Sequence, residues 1–471
     1  MSRHLRLFHS ADWHFGKMIG NVDRTADFEA FIDTFIDLVN EREPDILLIA
    51  GDIFDTSLPS NSAQKLYYSW IHRLQSTSVK AIVITAGNHD SQRFLEAPKA
   101  LLETMNCFIA GETPEEQVFI YRDKEGNPLV AIGAVPYLRE ADVRRGAMDY
   151  SDATRAELFE AGVKAHYDAV WQGIDEALGG RKVPRIGMGH LFVIGSEVRP
   201  GVQRAKDEGA LNVGSLNSVT TAAFSQGWDY VALGHIHHAQ TLTAETPMRY
   251  AGAPIGLTFN HRLYQHSLVE IDIDEAGALS LNTIAIPQPR HFVHLTGTVQ
   301  ELLDGIAKAG VDYREPYVEA ILTSDEVEPL LSDKLTAAAL AANVILIATR
   351  NERARQRYQE EEASLVELNE LSPQEVFRLF VMEGKGDADK KASAASTESA
   401  TTSTETAEPT LAGLELTDEK GPTAEKTSAT EEETSEVGMS EERFARYQAL
   451  LAEAVTGVQT NHWPLNAGSQ E

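Results

Sequence analysis

One arrangement recurs through roughly the first 260 residues: a short apolar run ends in a turn rich in glycine, aspartate and histidine. The runs are LRLFHS, DILLIAGD, KAIVITAGNHD, PLVAIGAVP, RIGMGHLF and WDYVALGHIH. Each reads as a short buried strand. Between the first two, DFEAFIDTFIDLVNERE places Phe28, Phe31, Ile32, Phe35 and Val39 on one helical stripe. Between the second and third, SNSAQKLYYSWIHRLQ does the same with Ala63, Leu66, Tyr67, Trp70 and Leu74, capped by Ser60 or Asn61. Strand, helix and strand repeated in this way predict a layered α/β domain.

A chain of 471 residues has room for two or three domains. The pattern changes near residue 285, where Pro287 and Pro289 mark a joint. Beyond it, PQPRHFVHLTGTVQELLDGIAKAG, PYVEAILTS and NVILIATR read as strands alternating with helices in a smaller domain. The run LTAAALAANVILIA (335–348) is too short for a membrane span and carries Asn343, so it reads as a small helix followed by a buried strand. LVELNELSPQEVFRLFVM (365–382) is an apolar-striped helical segment. Residues 383–438, rich in Ser, Thr, Ala and Glu, are expected to be disordered. SEERFARYQALLAEAV (440–455) closes the pattern as an amphipathic helix, with Phe444, Tyr447, Leu451 and Val455 on one face. The single cysteine, Cys107, excludes an intrachain disulfide and a thiolate metal cage. The start, MSRHLRLFHSADWH, lacks the apolar stretch of a signal peptide, so a soluble cytoplasmic protein is expected.

Net charge is −30, and residues 383–442 alone hold 16 Asp/Glu against 5 Lys/Arg. Affinity for DNA comes from Lys and Arg neutralising phosphates. So acidic a chain is a poor non-specific DNA binder. For a DNA substrate, metal ions, a local basic strip or a partner subunit must supply the attraction.

Five motifs each follow an apolar run: Asp12-Trp13-His14, Gly51-Asp52-Ile53-Phe54-Asp55, Gly87-Asn88-His89-Asp90, Gly189-His190 and Gly234-His235-Ile236-His237. Sites of α/β sheets gather at the carboxyl ends of strands, so five distant stretches should converge on one rim. Their inventory is Asp12, His14, Asp52, Asn88, His190, His235 and His237. Such oxygen and imidazole donors suit Mn²⁺, Fe²⁺ or Zn²⁺, and Mg²⁺ less well. Seven ligands are too many for one tetrahedral ion, and suit two ions bridged by a shared carboxylate. Only two of the seven are anionic, so the loaded site stays net positive, as an anionic phosphodiester requires. In an extended segment, residues two apart point the same way. His235 and His237 then face the ions together, and His238 points elsewhere.

DWH, GDIFD, GNHD, GHL and GHIH, in this order and spacing, resemble the calcineurin-like metallophosphoesterase family. Within it, the SADWHFGK start, the YAGAPIGLTFN segment and the smaller C-terminal domain resemble nuclease subunits that work with an SMC-like ATPase. The resemblance covers roughly residues 4–382. It implies an α/β fold: a β-sheet sandwich flanked by helices over 1–284, and a smaller α+β capping, DNA-binding domain over 285–364. A helical ATPase-binding segment over 365–382 follows, docking through Leu368, Leu371, Val376, Phe377 and Phe380. The disordered acidic linker would be 383–438, and the last helix and tail 439–471. It implies Asp12, His14, Asp52 and His237 on a first metal, with Asp52 bridging to a second held by Asn88, His190 and His235. His89 would contact the scissile phosphate and protonate the leaving oxygen. The implied ions are Mn²⁺ first, with Mg²⁺ as the alternative. The implied assembly is a homodimer within a heterotetramer with the ATPase, nucleoid-associated, acting on DNA as a 3′→5′ double-strand exonuclease and a single-strand or hairpin endonuclease. ATP use would belong to the partner, since no Gly-x-x-x-x-Gly-Lys-Ser/Thr loop is present. One departure stands out: archaeal and eukaryotic relatives carry histidine where this chain has Asp55.

Plainer readings compete at each position. A single histidine is more often structural than a ligand, and only the five motifs together carry the metal reading. Asp90 fits a hydrogen bond behind the ligands better than a metal contact, and Asp55 fits an orienting role. Trp13 could stack on a base but is expected in the core. A small-nucleotide phosphodiesterase with the same metals is the first rival function, and a scaffold that has lost its chemistry is the second. The best basic strips are Arg139, Arg144 and Arg145, and Arg199, Arg204 and Lys206, read as DNA-phosphate contacts or as solvated loops. If they touch phosphates, replacing Arg199 and Arg204 with alanine lowers the slope of log K against log salt by about 1–2. A slope unchanged in a binding titration refutes the contact.

Overall fold

A computed structural model describes residues 4–143, 152–194, 218–323 and 330–351. The expectations for Arg144, Arg145, Arg199, Arg204, Lys206, the 365–382 segment with its Leu368, Leu371, Val376, Phe377 and Phe380, the acidic linker and the 440–455 helix lie outside these residues.

Two six-stranded sheets face one another. The first has the spatial order Leu279–Ala285, Ser267–Ile273, Leu5–Ser10, Ile46–Ala50, Ala81–Thr85 and Cys107–Ile109. The second runs Gln240–Leu242, Met248–Tyr250, Tyr230–Gly234, Arg185–His190, Pro128–Ala134 and Val118–Arg122. All six strands read from the sequence are present. In each sheet they pair in parallel, so their carboxyl ends share one edge.

Alternate residues along each strand serve different layers, which is why the runs are apolar throughout. Leu7, Leu48 and Val83 from the first sheet meet Ile132, Met188 and Ala232 from the second in the core between the sheets. Phe8, Leu47, Ile49, Ile82 and Ile84 point the other way, onto the helices Thr25–Arg42 and Asn61–Leu74. Ser60 is the cap of the latter helix, its hydroxyl accepting from the Ala63 N–H at 3.2 Å. Trp13 is buried, edge-on to Phe31, Phe35 and Trp70, with its indole N–H donated to Ser10 Oγ. Its core reading therefore holds. The outer face of the second sheet packs on a helix, Asp152–Leu178, through Phe159, Val163, Tyr167, Val170 and Ile174.

The smaller domain is a three-stranded parallel sheet, Phe292–Gly297, Tyr317–Leu322 and Ile345–Asn351, with the helices Val299–Asp312 and Leu331–Ala341 as crossovers. Its own core gathers Leu302, Ile306, Val318, Ala320 and Leu335. The last strand was expected to be buried. It is the sheet's edge, and its residues are only half-buried.

A buried charge cluster fastens the two domains. Asp27, 1% exposed on the Thr25–Arg42 helix, accepts from Arg24 Nε at 3.0 Å, from Tyr317 Oη at 2.7 Å and from the Arg290 guanidinium. The Arg24 guanidinium lies 5.5 Å from the centre of the Phe292 ring. Removing one partner of a buried pair leaves the other charge uncompensated. Asp27→Ala should therefore cost about 3–5 kcal/mol in urea denaturation. A loss below about 1 kcal/mol would show that the cluster does not fasten the joint.

Candidate metal centre

All five motifs reach the shared carboxyl edge, three from the first sheet and two from the second. The two edges are held very close. His190, the last residue of its strand, donates Nδ1–H to the Ala50 carbonyl of the opposite sheet at 2.8 Å. A side chain on Gly234 would put its Cβ 2.0 Å from that carbonyl oxygen, and one on Gly51 would lie 2.3 Å from His190 Nδ1. A Cβ on Gly87 would lie 2.1 Å from Asp52 Oδ1. Glycine is thus required before three of the motifs. The loops after Leu5–Ser10 and Ile46–Ala50 are stitched by backbone bonds, Asp12 N to Gly51 O and His14 N to Asp52 O, both 3.0 Å. Asp12, His14, Asp52 and His235 adopt positive φ angles of 56°, 50°, 51° and 97°. Such conformations cost energy in residues other than glycine and cluster at functional sites.

Asp12, His14, Asp52 and His237 are buried, and each offers a ligand atom within 4.8 Å of the others. His14 Nε2 and His237 Nε2 face each other at 3.2 Å. Asp52 Oδ2 lies 3.4 Å from His14 Nε2 and 3.3 Å from His190 Nε2. On the far side, Asn88 Oδ1 is 3.0 Å from His190 Nε2 and 2.9 Å from His235 Nδ1. Two groups of donors therefore meet at one carboxylate oxygen. Asp12 Oδ2 is buried with no hydrogen-bond partner, while Oδ1 accepts from the His235 N–H at 2.9 Å. A buried carboxylate oxygen left bare, beside converging imidazole nitrogens, fits a divalent cation.

Without cations the cluster holds protons. Burial, together with the Asp52 charge, pushes the Asp12 carboxyl up to about 7. Burial opposes charge on His14 and His190, but the carboxylates, Asp52 foremost, carry them up to about 10 and about 9. His235 is driven down to about 3 by burial and the neighbouring His190 charge. Cation binding must displace such protons.

The surrounding residues orient this set. Asp55 Oδ1 accepts from His14 Nδ1 at 3.2 Å and from Lys17 Nζ at 3.1 Å. Asp90 accepts from the backbone N–H groups of Ile53, Phe54 and Gly87 at 3.0, 2.9 and 2.8 Å, locking two loops together. His89 donates Nδ1–H to the Asp55 carbonyl at 2.8 Å, and its backbone N–H to Asp52 Oδ1 at 2.9 Å. His238 packs on the Tyr264 ring at 4.8 Å between centroids. Arg139 is exposed, at a cleft beside the cluster.

Three contributors were absent from the sequence reading. The Ala50 carbonyl carries no sequence signal. Lys17 lies just after the first motif but looks like any surface lysine. His261, buried, sits 5.2 Å from the His237 ring and belongs to no motif. The glycine ahead of four of the five motifs was the visible signal of crowding.

A carboxylate behind a ligating histidine fixes its ring and raises its basicity. Asp55→Ala should weaken Mn²⁺ binding by about 10- to 100-fold, read by competition against a chelating dye. Affinity equal to wild type would mean that His14 needs no such support.

Residues 5–239 match the family model described as calcineurin-like phosphoesterase, and residues 288–383 match SbcD_C, described as a Type 5 capsule protein repressor C-terminal domain. The SbcD component of nuclease SbcCD from Escherichia coli (strain K12) is 26% identical over 382 residues, 79% of this chain and 92% of that protein. The Rhodobacter capsulatus protein of the same name is 29% identical over 379 residues, covering 74% and 89%. The Bacillus subtilis one is 29% identical over 272 residues, covering 57% and 66%. No helix among the described residues is long and apolar enough to cross a membrane. Through residues 5–239, which carry all five motifs, the chain belongs to the calcineurin-like phosphoesterases.

Proposed function

We propose that this chain is a metal-dependent DNA nuclease subunit that hydrolyses phosphodiester bonds. One observation carries the reading: Asp52 Oδ2 stands between two donor groups, 3.4 Å from His14 Nε2 and 3.3 Å from His190 Nε2. Asp12, His14, Asp52 and His237 would hold one ion, and Asp52, Asn88, His190 and His235 the other. Two bound divalent cations would neutralise the phosphodiester and lower the pKa of an attacking water. Four imidazoles in the set favour Mn²⁺ over Mg²⁺.

The rest of the chemistry belongs to the chain. The bond from His89 Nδ1–H to the Asp55 carbonyl leaves Nε2 uncommitted, and in the imidazolium form its Nε2–H would go to the leaving oxygen, the ring returning to the neutral Nδ1–H form. Asp90 would orient the loops through its backbone bonds and Asp55 the His14 ring, with the Asp55 carboxylate also within 4.8 Å of the donor atoms of His14 and His89. The first donor group is buried, whereas Asn88 is exposed and His89 and His235 half-buried, so substrate would enter beside the second. Arg139, with Arg144, Arg199, Arg204 and Lys206, would supply phosphate contacts that the net charge of −30 otherwise denies.

The relatives' name, which makes each of them one component of a nuclease called SbcCD, supports a partner. We take it to be an SbcC-type SMC-like ATPase docked on Leu368, Leu371, Val376, Phe377 and Phe380, with two copies of each chain in the assembly. Exonuclease action 3′→5′ on duplex ends and endonuclease action on single strands or hairpins complete the reading, in a cytoplasmic, nucleoid-associated setting. The rival is a phosphodiesterase for small nucleotides with the same ions.

Hairpin DNA and bis(4-nitrophenyl) phosphate, each with Mn²⁺, separate the two. Wild type should cut the hairpin, and His89→Ala should cut it about 100- to 10,000-fold more slowly. Strong ester turnover with no DNA cleavage by wild type establishes the rival.

A further inference from the structure

A cleft of about 660 Å³ opens beside the metal centre, and of its lining only Arg139 has a part in the reading above. Tyr137 is the wall the two share. Its ring lies 6.3 Å from the His190 ring and 6.3 Å from the His235 ring, and it also lines the cleft. Ser91, two residues past His89, lines it as well. A strand with its scissile phosphate at the cluster would therefore carry a neighbouring nucleotide into this space. The volume suits one nucleotide, since small-ligand pockets run from about 300 to 1,000 Å³.

The lining matches that occupant. Tyr137 is half-buried and lines the space with an aromatic ring, a group on which a base of any identity can stack. Arg93 and Arg139, both exposed, border the space with guanidinium groups suited to a phosphate. Glu112 and Asp142 balance them, and Asp142 already accepts the Arg139 backbone N–H at 2.9 Å. Two cations against two carboxylates make a locally neutral patch on a chain of charge −30, so an anion meets less repulsion here. We infer that this cleft is the subsite for the nucleotide adjoining the scissile phosphate, with its base on Tyr137 and its flanking phosphate between Arg93 and Arg139. The inference rests on the phosphodiesterase chemistry proposed above and adds to it a preference for a nucleotide over bare phosphate.

Calorimetric titration of the full chain with Mn²⁺ tests it, using 5′-dTMP, 3′-dTMP and inorganic phosphate as probes. The better nucleotide should bind about tenfold more tightly than phosphate, as expected for one stacked base. Arg93→Ala, an exposed change that does not threaten folding, and Tyr137→Ala should each cut that advantage to about threefold or less, while Tyr137→Phe keeps it. No advantage over phosphate in wild type overturns the subsite, and so does an advantage undiminished in Arg93→Ala or in Tyr137→Ala. DNA cleavage by the same wild-type preparation is scored separately. Absent cleavage with the nucleotide preference intact removes the nuclease reading and leaves a nucleotide cleft.

Discussion

The structure depends on one carboxylate oxygen placed where two sheets nearly touch. Asp52 Oδ2 is within 3.4 Å of imidazole nitrogens that come from different sheets, His14 from the first and His190 from the second. Charges so placed repel or attract strongly in a dry interior, so their positions have to be imposed by the surrounding fold. Much of the fold's detail serves that imposition: parallel strands whose carboxyl ends coincide, glycines where a Cβ would collide, and loops stitched by backbone bonds. The left-handed backbone at Asp12, His14, Asp52 and His235 is the local cost of aiming four side chains inward.

The surroundings divide the labour. Asp90 bonds only to backbone and fixes the relative height of two loops, while Asp55 bonds to the His14 ring and fixes its rotation. The two roles explain why adjacent motifs each end in aspartate, one of which, Asp55, reaches His14 and His89 with its ligand atom within 4.8 Å of theirs. The Asp27–Arg24–Arg290–Tyr317 group plays a related part at larger scale, seating the second domain on the first. The second domain packs there through Phe292 and Tyr317 against Ile19, close after the first motif.

How far the sequence could be read follows from what encodes each feature. Strands buried on both faces announce themselves as continuous apolar runs, so the six central strands and their common edge were legible. The helices Thr25–Arg42 and Asn61–Leu74 were legible from their stripes. The helix Asp152–Leu178 has the same kind of signal, since Phe159, Val163, Tyr167, Val170 and Ile174 recur at helical spacing and form its buried stripe. The burial of Ile345–Asn351 was overestimated, since an apolar composition does not say whether a strand is central or at an edge. At the site, ligand types were legible from motif order. The Ala50 carbonyl, His261 and the Tyr137 wall were not, because each acts through a position that only the packed sheets create.

The most direct test of this account is anomalous diffraction from crystals of the full chain grown with Mn²⁺. Two manganese peaks, one beside Asp12, His14 and His237 and the other beside Asn88, His190 and His235, with Asp52 Oδ2 in contact with both, are what the geometry predicts. A single peak, or two peaks that share no Asp52 oxygen, would contradict it.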